Sequence, residues 1–243
     1  MTKNGILLTG GEGTRLLPLT KITSKHLLGL NGKFIIDYPI NTLKQLGCED
    51  ITIVLGGSHY SQIVSYLGDG SQYDLNFNYI FQSKPAGIAQ AINLCKKFVN
   101  NGNFSVVLGD NVFENSLAWN KSNTNAQIML ASHPSLTRFG VASIGNDGKI
   151  FKIEEKPKEI DLNYTNMAVS GCYLFTSEYF EYFKESKPSN RGEFEITEII
   201  NRYLKDDKLS YSTTMGWSDA GTFESIGYLN YMFYQKEHGI IQI

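Results

Sequence analysis

Cysteine, histidine and charge of one sign are all scarce in this chain. Its 243 residues include three cysteines, Cys48, Cys95 and Cys172, with no CxxC spacing. Thiols so far apart make neither a zinc ribbon nor a disulfide framework, and they predict reduced, buried side chains in a cytoplasmic protein. The four histidines, His26, His59, His133 and His238, are just as scattered. Lys and Arg number 22 against 24 Asp and Glu, a net charge of −2. With no global basic field, nucleic acid is not the expected partner. No apolar run approaches the ~18–20 residues that span a bilayer. The first residues lack the basic, apolar and small-residue sections of a signal peptide, so no membrane partner is expected either.

What is present is a rhythm of short apolar runs and helical stretches. The run up to Thr9 reads as a buried strand, as do 51–55 and 104–108. Between them, 39–46 and 86–98 have helical character, with Gly47 as a C-cap. This βαβ order predicts an α/β protein with a mixed, mainly parallel sheet covered by helices. Further on, 127–131, 149–153 and 173–175 read as strands, and 120–125 as a polar surface loop. Ile196, Ile199, Ile200, Tyr203 and Leu204 form one apolar helix stripe. No repeat or linker forces a boundary, so 1–243 reads as a single domain, with a second half that adds a substrate-binding lobe.

The chemistry is concentrated after the first strand, in Gly10-Gly11-Glu12-Gly13-Thr14-Arg15-Leu16. Glycine lets backbone approach a ligand closely, and loop amides can cradle phosphate oxygens. Arg15 adds a fork that matches phosphate geometry. The loop is not a P-loop, since no Gly-Lys-Ser/Thr follows. Nor is it a dinucleotide fingerprint, because Leu16 stands where the third glycine belongs, which disfavours a nicotinamide oxidoreductase. Three glycines alone are equally a strand-to-helix turn; Thr14-Arg15 and the later Lys25 favour phosphate. Asp110 ends an apolar strand, where ligands of open α/β sheets bind, and its carboxylate suits Mg²⁺. Asp219, in Trp217-Ser218-Asp219-Ala220-Gly221-Thr222, is a second candidate that by itself reads as a turn residue. Strict alternation aims Glu155 and Lys156 at opposite faces, so the two can meet one ligand only if the chain bends before Pro157. Glu193 and Glu195 read as acidic residues in the first turn of the 196–204 helix.

In this order, these stretches resemble the sugar-1-phosphate nucleotidyltransferases, in particular short, thymidylyl-transferring members. The resemblance rests on the glycine-rich loop, Ser24-Lys25-His26-Leu27-Leu28, Leu67-Gly68-Asp69-Gly70-Ser71, and Gln82 with Gly87-Ile88-Ala89-Gln90-Ala91. It continues through Leu108-Gly109-Asp110-Asn111, Phe139-Gly140-Val141, Glu154-Glu155-Lys156-Pro157 and Val169-Ser170-Gly171. Arg191-Gly192-Glu193-Phe194-Glu195-Ile196-Thr197 and the Trp217–Thr222 stretch complete it. It implies a Rossmann-like three-layer fold, with a nucleotide-binding part over about 1–115 and a sugar-binding part over about 116–243. The implied reaction joins dTTP and glucose 1-phosphate, with UTP or an amino or N-acetyl sugar 1-phosphate as the alternative. By resemblance, Gly10, Gly11, Gly13, Thr14, Arg15, Gln82, Gly87 and Asp110 hold the nucleotide. Gly140, Glu155, Lys156 and Val169 hold the sugar phosphate. Arg15, Lys25, Asp110 and Lys156 serve catalysis, and Asp110 and Asp219 hold Mg²⁺. A homo-oligomer is implied as well.

Several positions depart from the family's pattern: Thr9 replaces Ala, His26 replaces Gln, Gly29 replaces Pro, and Ala86 replaces Asp or Gly. The chain stops at Ile243, before the C-terminal helices of longer members, so weaker feedback by a downstream dTDP-sugar is expected. A non-catalytic subunit of the same fold is disfavoured by the intact Arg15, Lys25, Asp110, Lys156 and Asp219.

Overall fold

A computed structural model describes residues 3–99, 102–119 and 125–239. Apart from Asn125, the predicted polar loop 120–125 lies outside them. The first half runs β1 (Asn4–Thr9), β2 (Gly29–Leu30), β3 (Lys33–Phe34), α1 (Asp37–Gln45), β4 (Asp50–Leu55) and α2 (Tyr60–Leu67). It continues through β5 (Asn76–Phe81), α3 (Ile88–Leu94), β6 (Phe104–Leu108) and β7 (Asn111–Phe113). The second half runs β8 (Ala126–Ala131), β9 (Gly140–Ile144), β10 (Ile150–Glu155), β11 (Thr165–Phe175) and α4 (Tyr179–Lys184). It ends with α5 (Ile196–Lys205), β12 (Leu209–Thr214), β13 (Trp217–Asp219) and α6 (Phe223–His238).

Nine strands form the main sheet in the order β10-β9-β11-β6-β1-β4-β5, with β8 on β11 and β12 on β8. Strands β6, β1, β4 and β5 are parallel, as the βαβ rhythm predicts. Strand β11 runs antiparallel to β6, β8 and β9, so the sheet is mixed. Strands alternate with period two, and both faces are buried. Ile6, Leu8, Val54 and Val106 enter one apolar cluster, while Leu7, Ile53, Leu55 and Val107 enter the other. Burial on both faces is why these strands read as unbroken apolar runs. Helices α3, α4 and α5 cover the first cluster, and α1 and α2 cover the second. In α5 the predicted stripe faces the core: Ile199, Ile200 and Tyr203 are fully inaccessible, Ile196 is buried and Leu204 is half-buried. Ile199 and Ile200 each contribute about 1.5–3 kcal/mol of burial. Helix α6 packs Leu229 onto a smaller cluster with Leu30, Ile35, Val112 and Ala220.

Three segments differ from expectation. The predicted strand 173–175 is the end of the eleven-residue β11, whose Ser170-Gly171 looks like a breaker in sequence. A register shift against β8 between Val169 and Tyr173 marks a bulge there. Ser170 Oγ fastens the bulge by donating to the Met129 carbonyl at 2.8 Å. The helix expected over 86–98 is α-helical only from Ile88 to Leu94 and ends as a 3-10 turn. Residues 191–195 are loop, so Glu193 precedes the first turn of α5 and Glu195 is its N-cap. The late start of α3 and the 191–195 loop share a cause. Phe194 N donates to the Ala86 carbonyl at 2.8 Å, and Ala89 N to the Phe194 carbonyl at 3.1 Å. Gly87 sits at φ 95°, and a Cβ there would lie 2.5 Å from the Phe194 oxygen. The 86–87 and 193–195 segments are therefore clamped in extended form, and only glycine fits between them.

Candidate active site

The glycine-rich loop leaves the carboxyl end of β1 and turns into a 3-10 helix, Thr14–Leu16. Gly13 adopts φ 63°, and a Cβ there would meet Thr20 at 2.8 Å. Thr20 Oγ1 pins the same turn by donating to the Gly13 carbonyl at 2.9 Å. Among the described residues, the amides of Gly11, Glu12, Gly13, Thr14 and Arg15 donate to no protein acceptor. Such a row of open N–H groups is what an anion needs.

Lys25 lies in a 3-10 turn capped by Ser24, whose Oγ accepts from His26 N. Its Nζ is 2.5 Å from Asp110 Oδ2, and both side chains are mostly buried. Asn111 Nδ2 donates to Asp110 Oδ1 at 3.0 Å, and Trp217 Nε1 donates to Asn111 Oδ1 at 2.6 Å. Burial alone would raise the Asp110 carboxyl. The Lys25 charge above all, with the hydrogen bonds from Lys25 and Asn111, outweighs it and holds the group below the usual carboxylate range. His26 is pushed down to about 3, by burial first and by the Lys25 charge second. Its ring is therefore neutral at physiological pH, with Nδ1 3.0 Å from Ser24 Oγ.

The sheet register brings the second carboxylate close. Strand β13 pairs with β7 so that Asp219 lies opposite Asn111, and Ala220 N donates to the Asp110 carbonyl at 2.7 Å. Arg138 Nη2 reaches Asp219 Oδ2 at 2.8 Å and Oδ1 at 3.2 Å. Arg15 Nη2 is 3.9 Å from Asp219 Oδ2. Burial is the largest influence on Asp219. With the neighbouring Asp110 it raises the carboxyl above its ordinary value, against the pull of Arg138 and Arg15.

A cleft of about 280 Å³ opens beside these groups. Leu8, Val54, Pro85, Ile88, Ala91 and Leu108 form its apolar wall. Gly10, Gly11, Lys25, Gln82, Gly87 and Asp110 line it from the first half of the chain, and Glu155, Lys156, Arg191, Glu193 and Glu195 from the second. Lys156 adopts φ 45°, a left-handed conformation unusual for a lysine. That bend before Pro157 brings Glu155 and Lys156 to one cleft against strict strand alternation. Arg191 is braced by Glu195 at 2.9 Å, Glu155 at 3.4 Å and Glu193 at 3.6 Å. Gln82 is buried and donates its Nε2 to Gln90 Oε1 at 2.7 Å.

A sequence model of the nucleotidyl transferase family matches residues 4–236. The chain belongs to the nucleotidyl transferase family. It is 35% identical over 231 residues to the glucose-1-phosphate thymidylyltransferase of Neisseria meningitidis serogroup A, covering 91% of this chain and 79% of that protein. A Bacillus anthracis structure provisionally assigned as a glucose-1-phosphate thymidylyltransferase, in complex with sucrose, is also similar. It has a TM-score of 0.87 at 43% identity, over 99% of this chain and 96% of that chain. A UDP-glucose pyrophosphorylase complexed with UDP-glucose shares the fold, with a TM-score of 0.82 at 23% identity over 97% of this chain and 100% of that chain.

In this member of the nucleotidyl transferase family, the sequence-predicted residues fall into three groups. Gly10, Gly11, Lys25, Gln82, Gly87, Asp110, Glu155 and Lys156 line the one cleft. Gly13, Thr14, Arg15 and Asp219 stand beside it, on the loop and the paired strands described above. Gly140 and Val169 lie behind Glu155: a Cβ on Gly140 would sit 3.5 Å from Glu155 Oε2 and 3.7 Å from Val169 Cβ. Sequence reasoning assigns no site role to Arg138 or Arg191 and reads Glu193 and Glu195 as a helix first turn. The Arg191 stretch was visible as a motif, but nothing in its spacing shows that it folds back over the Gly87 loop.

Proposed function

We propose that this chain transfers a thymidylyl group from dTTP to glucose 1-phosphate, giving dTDP-glucose and pyrophosphate. One observation carries the reading. Lys25 from one half of the chain and Lys156 and Arg191 from the other border a single cleft, next to the open amides after β1. Two anions must meet in this reaction, so positioning and offset of charge are most of what a protein can supply. The thymidylyltransferases among the relatives favour dTTP and glucose 1-phosphate over UTP or an amino or N-acetyl sugar phosphate.

Gly10, Gly11, Gly13, Thr14 and Arg15 receive the triphosphate. Gln82, with its Nε2 committed to Gln90, keeps Oε1 beside Gly10 as an acceptor for the thymine N3–H. Gly87 offers its backbone edge, and Leu8, Val54 and Leu108 pack the ring. Gly140, Glu155 and Val169 shape the sugar site, and Lys156, joined by Arg191, holds the sugar phosphate. A sugar-phosphate oxygen then attacks the α-phosphorus, one P–O bond forms, and the bond to the β-phosphate oxygen breaks. The attacking oxygen is already anionic, so no general base is needed. Lys25, freed from Asp110 as the phosphates arrive, offsets the charge that gathers at the α-phosphate.

The donor set suits a hard cation. Asp110 and Asp219 are both carboxylates, and among the described residues no group of three or more His, Cys, Asp or Glu stands ready to hold a metal alone. Asp110 and Asp219 would hold Mg²⁺ together with phosphate oxygens. Bound there, Mg²⁺ would supply Lewis-acid neutralisation of the α-phosphate.

In this reading residues 1–115 serve mainly the nucleotide and 116–243 mainly the sugar, with Asp219 crossing between them. No described helix is long and apolar enough to cross a membrane. Three buried cysteines fit a reducing cytoplasm, and a homo-oligomer is the expected assembly. A pyrophosphate-release assay over dTTP, UTP and CTP, each with several sugar 1-phosphates, tests the reading. The highest kcat/KM is expected for dTTP with glucose 1-phosphate; a preference for UTP, or no release at all, contradicts it.

A further inference from the structure

We propose that Arg138 is a built-in counter-ion that keeps bare divalent metal off Asp219, so that the metal enters only together with a triphosphate. The proposal rests on the metal assignment made above for Asp110 and Asp219. Both carboxylates are already neutralised by the protein. Lys25 Nζ lies 2.5 Å from Asp110 Oδ2, and Arg138 Nη2 lies 2.8 Å from Asp219 Oδ2. Two negative charges thus face two positive ones, with Arg15 adding a third cation 3.9 Å from Asp219. A divalent cation entering alone gains no net negative charge and must displace a guanidinium from a carboxylate whose side chain is only 10% exposed. A triphosphate changes that balance. It brings several negative charges of its own, gives the cations of the cleft new partners, and offers the oxygens that two carboxylates cannot supply to an octahedral ion.

The Arg138 contact is more than a loose surface pair. Its guanidinium lies over the Phe139 ring, 5.1 Å from the centroid, and Phe139 packs edge-on to Trp217 at 5.0 Å. Trp217 in turn holds Asn111, which holds Asp110. One continuous bracket of ring contacts and hydrogen bonds therefore fixes both carboxylates and the cation that guards one of them. Arg138 bonds both oxygens of Asp219, the atoms with which that carboxylate would hold a metal. It acts through Asp219 and is a positioning residue.

The test is a Mn²⁺ titration of the EDTA-treated 243-residue chain, read by the electron paramagnetic resonance of free Mn²⁺ and by water-proton relaxation. Wild type, Arg138→Gln and Arg138→Lys are each measured with and without dTTP and without sugar phosphate, so that no turnover occurs. Wild type alone is expected to bind Mn²⁺ weakly, and to give strong relaxation enhancement once dTTP is added. Removing one positive charge beside the two carboxylates should tighten bare Mn²⁺ binding in Arg138→Gln by about tenfold or more. Arg138→Lys, which keeps the charge, should remain within about threefold of wild type. A purely structural bridge predicts equal or weaker bare-metal binding in Arg138→Gln, and that result overturns the proposal. Micromolar binding of bare Mn²⁺ by wild type overturns it without any variant. Enhancement with dTTP but unchanged affinity in Arg138→Gln refutes the counter-ion alone; no enhancement under any condition removes the metal assignment as well.

Discussion

Replacing His26 by Gln should make the protein less sensitive to acid. Burial and the adjacent Lys25 depress this imidazole from 6.5 to about 3. At pH 7 the ring is neutral in both the folded and the unfolded chain, so it costs almost nothing. At pH 5 the unfolded chain takes up a proton at His26 while the folded chain does not. Stability therefore falls as pH drops through 6.5 towards 3, and linkage puts the loss between pH 7 and pH 5 at about 2 kcal/mol from this one group. Urea unfolding of wild type and His26→Gln at pH 7 and pH 5, in EDTA, measures it. The wild type should lose about 2 kcal/mol more than the variant over that interval. His133 and the carboxylates are common to both proteins and cancel in the comparison. Parallel losses would mean that His26 becomes charged inside the fold, and that the account of a desolvated ring beside Lys25 is mistaken.

Other expectations concern the cleft. Asp110→Asn should cut turnover by at least about 10²–10³-fold, measured by pyrophosphate release, because it removes both the Lys25 partner and a proposed metal ligand. Lys156→Ala should raise KM for glucose 1-phosphate by about 10–100-fold and leave KM for dTTP nearly unchanged, since a charged hydrogen bond contributes about 1.5–3 kcal/mol. Gly87→Ala must push a methyl group against the Phe194 backbone at positive φ. It should cost at least about 2 kcal/mol and lower Tm by about 4–8 °C in a thermal melt.

Periodicity and strand chemistry made much of the fold legible. Strands β1, β4 and β6 bury both faces, so their apolar runs stood out, and α5 carried its stripe at helical spacing. Only the end of β11 is legible in the sequence, because its bulge places Ser170 and Gly171 where a turn would also place them. Helix α3 starts later than its sequence suggests because the clamp on Gly87 comes from Phe194, over a hundred residues away, and no local pattern records it. The candidate site divides along the same line. Gly10, Lys25 and Asp110 sit next to strand ends and could be read locally. Whether Glu155 and Lys156 shared a face turned on one backbone angle at Lys156, which composition does not report. Arg138 and Arg191 owe their places to Asp219 and to Glu195 with Glu155, and alone each resembles any solvated cation.

The central claim is that the open amides after β1 and the cations of one cleft receive a nucleoside triphosphate. A crystal soaked with dTTP tests it most directly. The account predicts the phosphates against Gly10, Gly11 and Gly13, with Arg15 and Lys25 turned towards them and the base beside Gln82. Density for the triphosphate anywhere else on the molecule, with that loop empty, would contradict it.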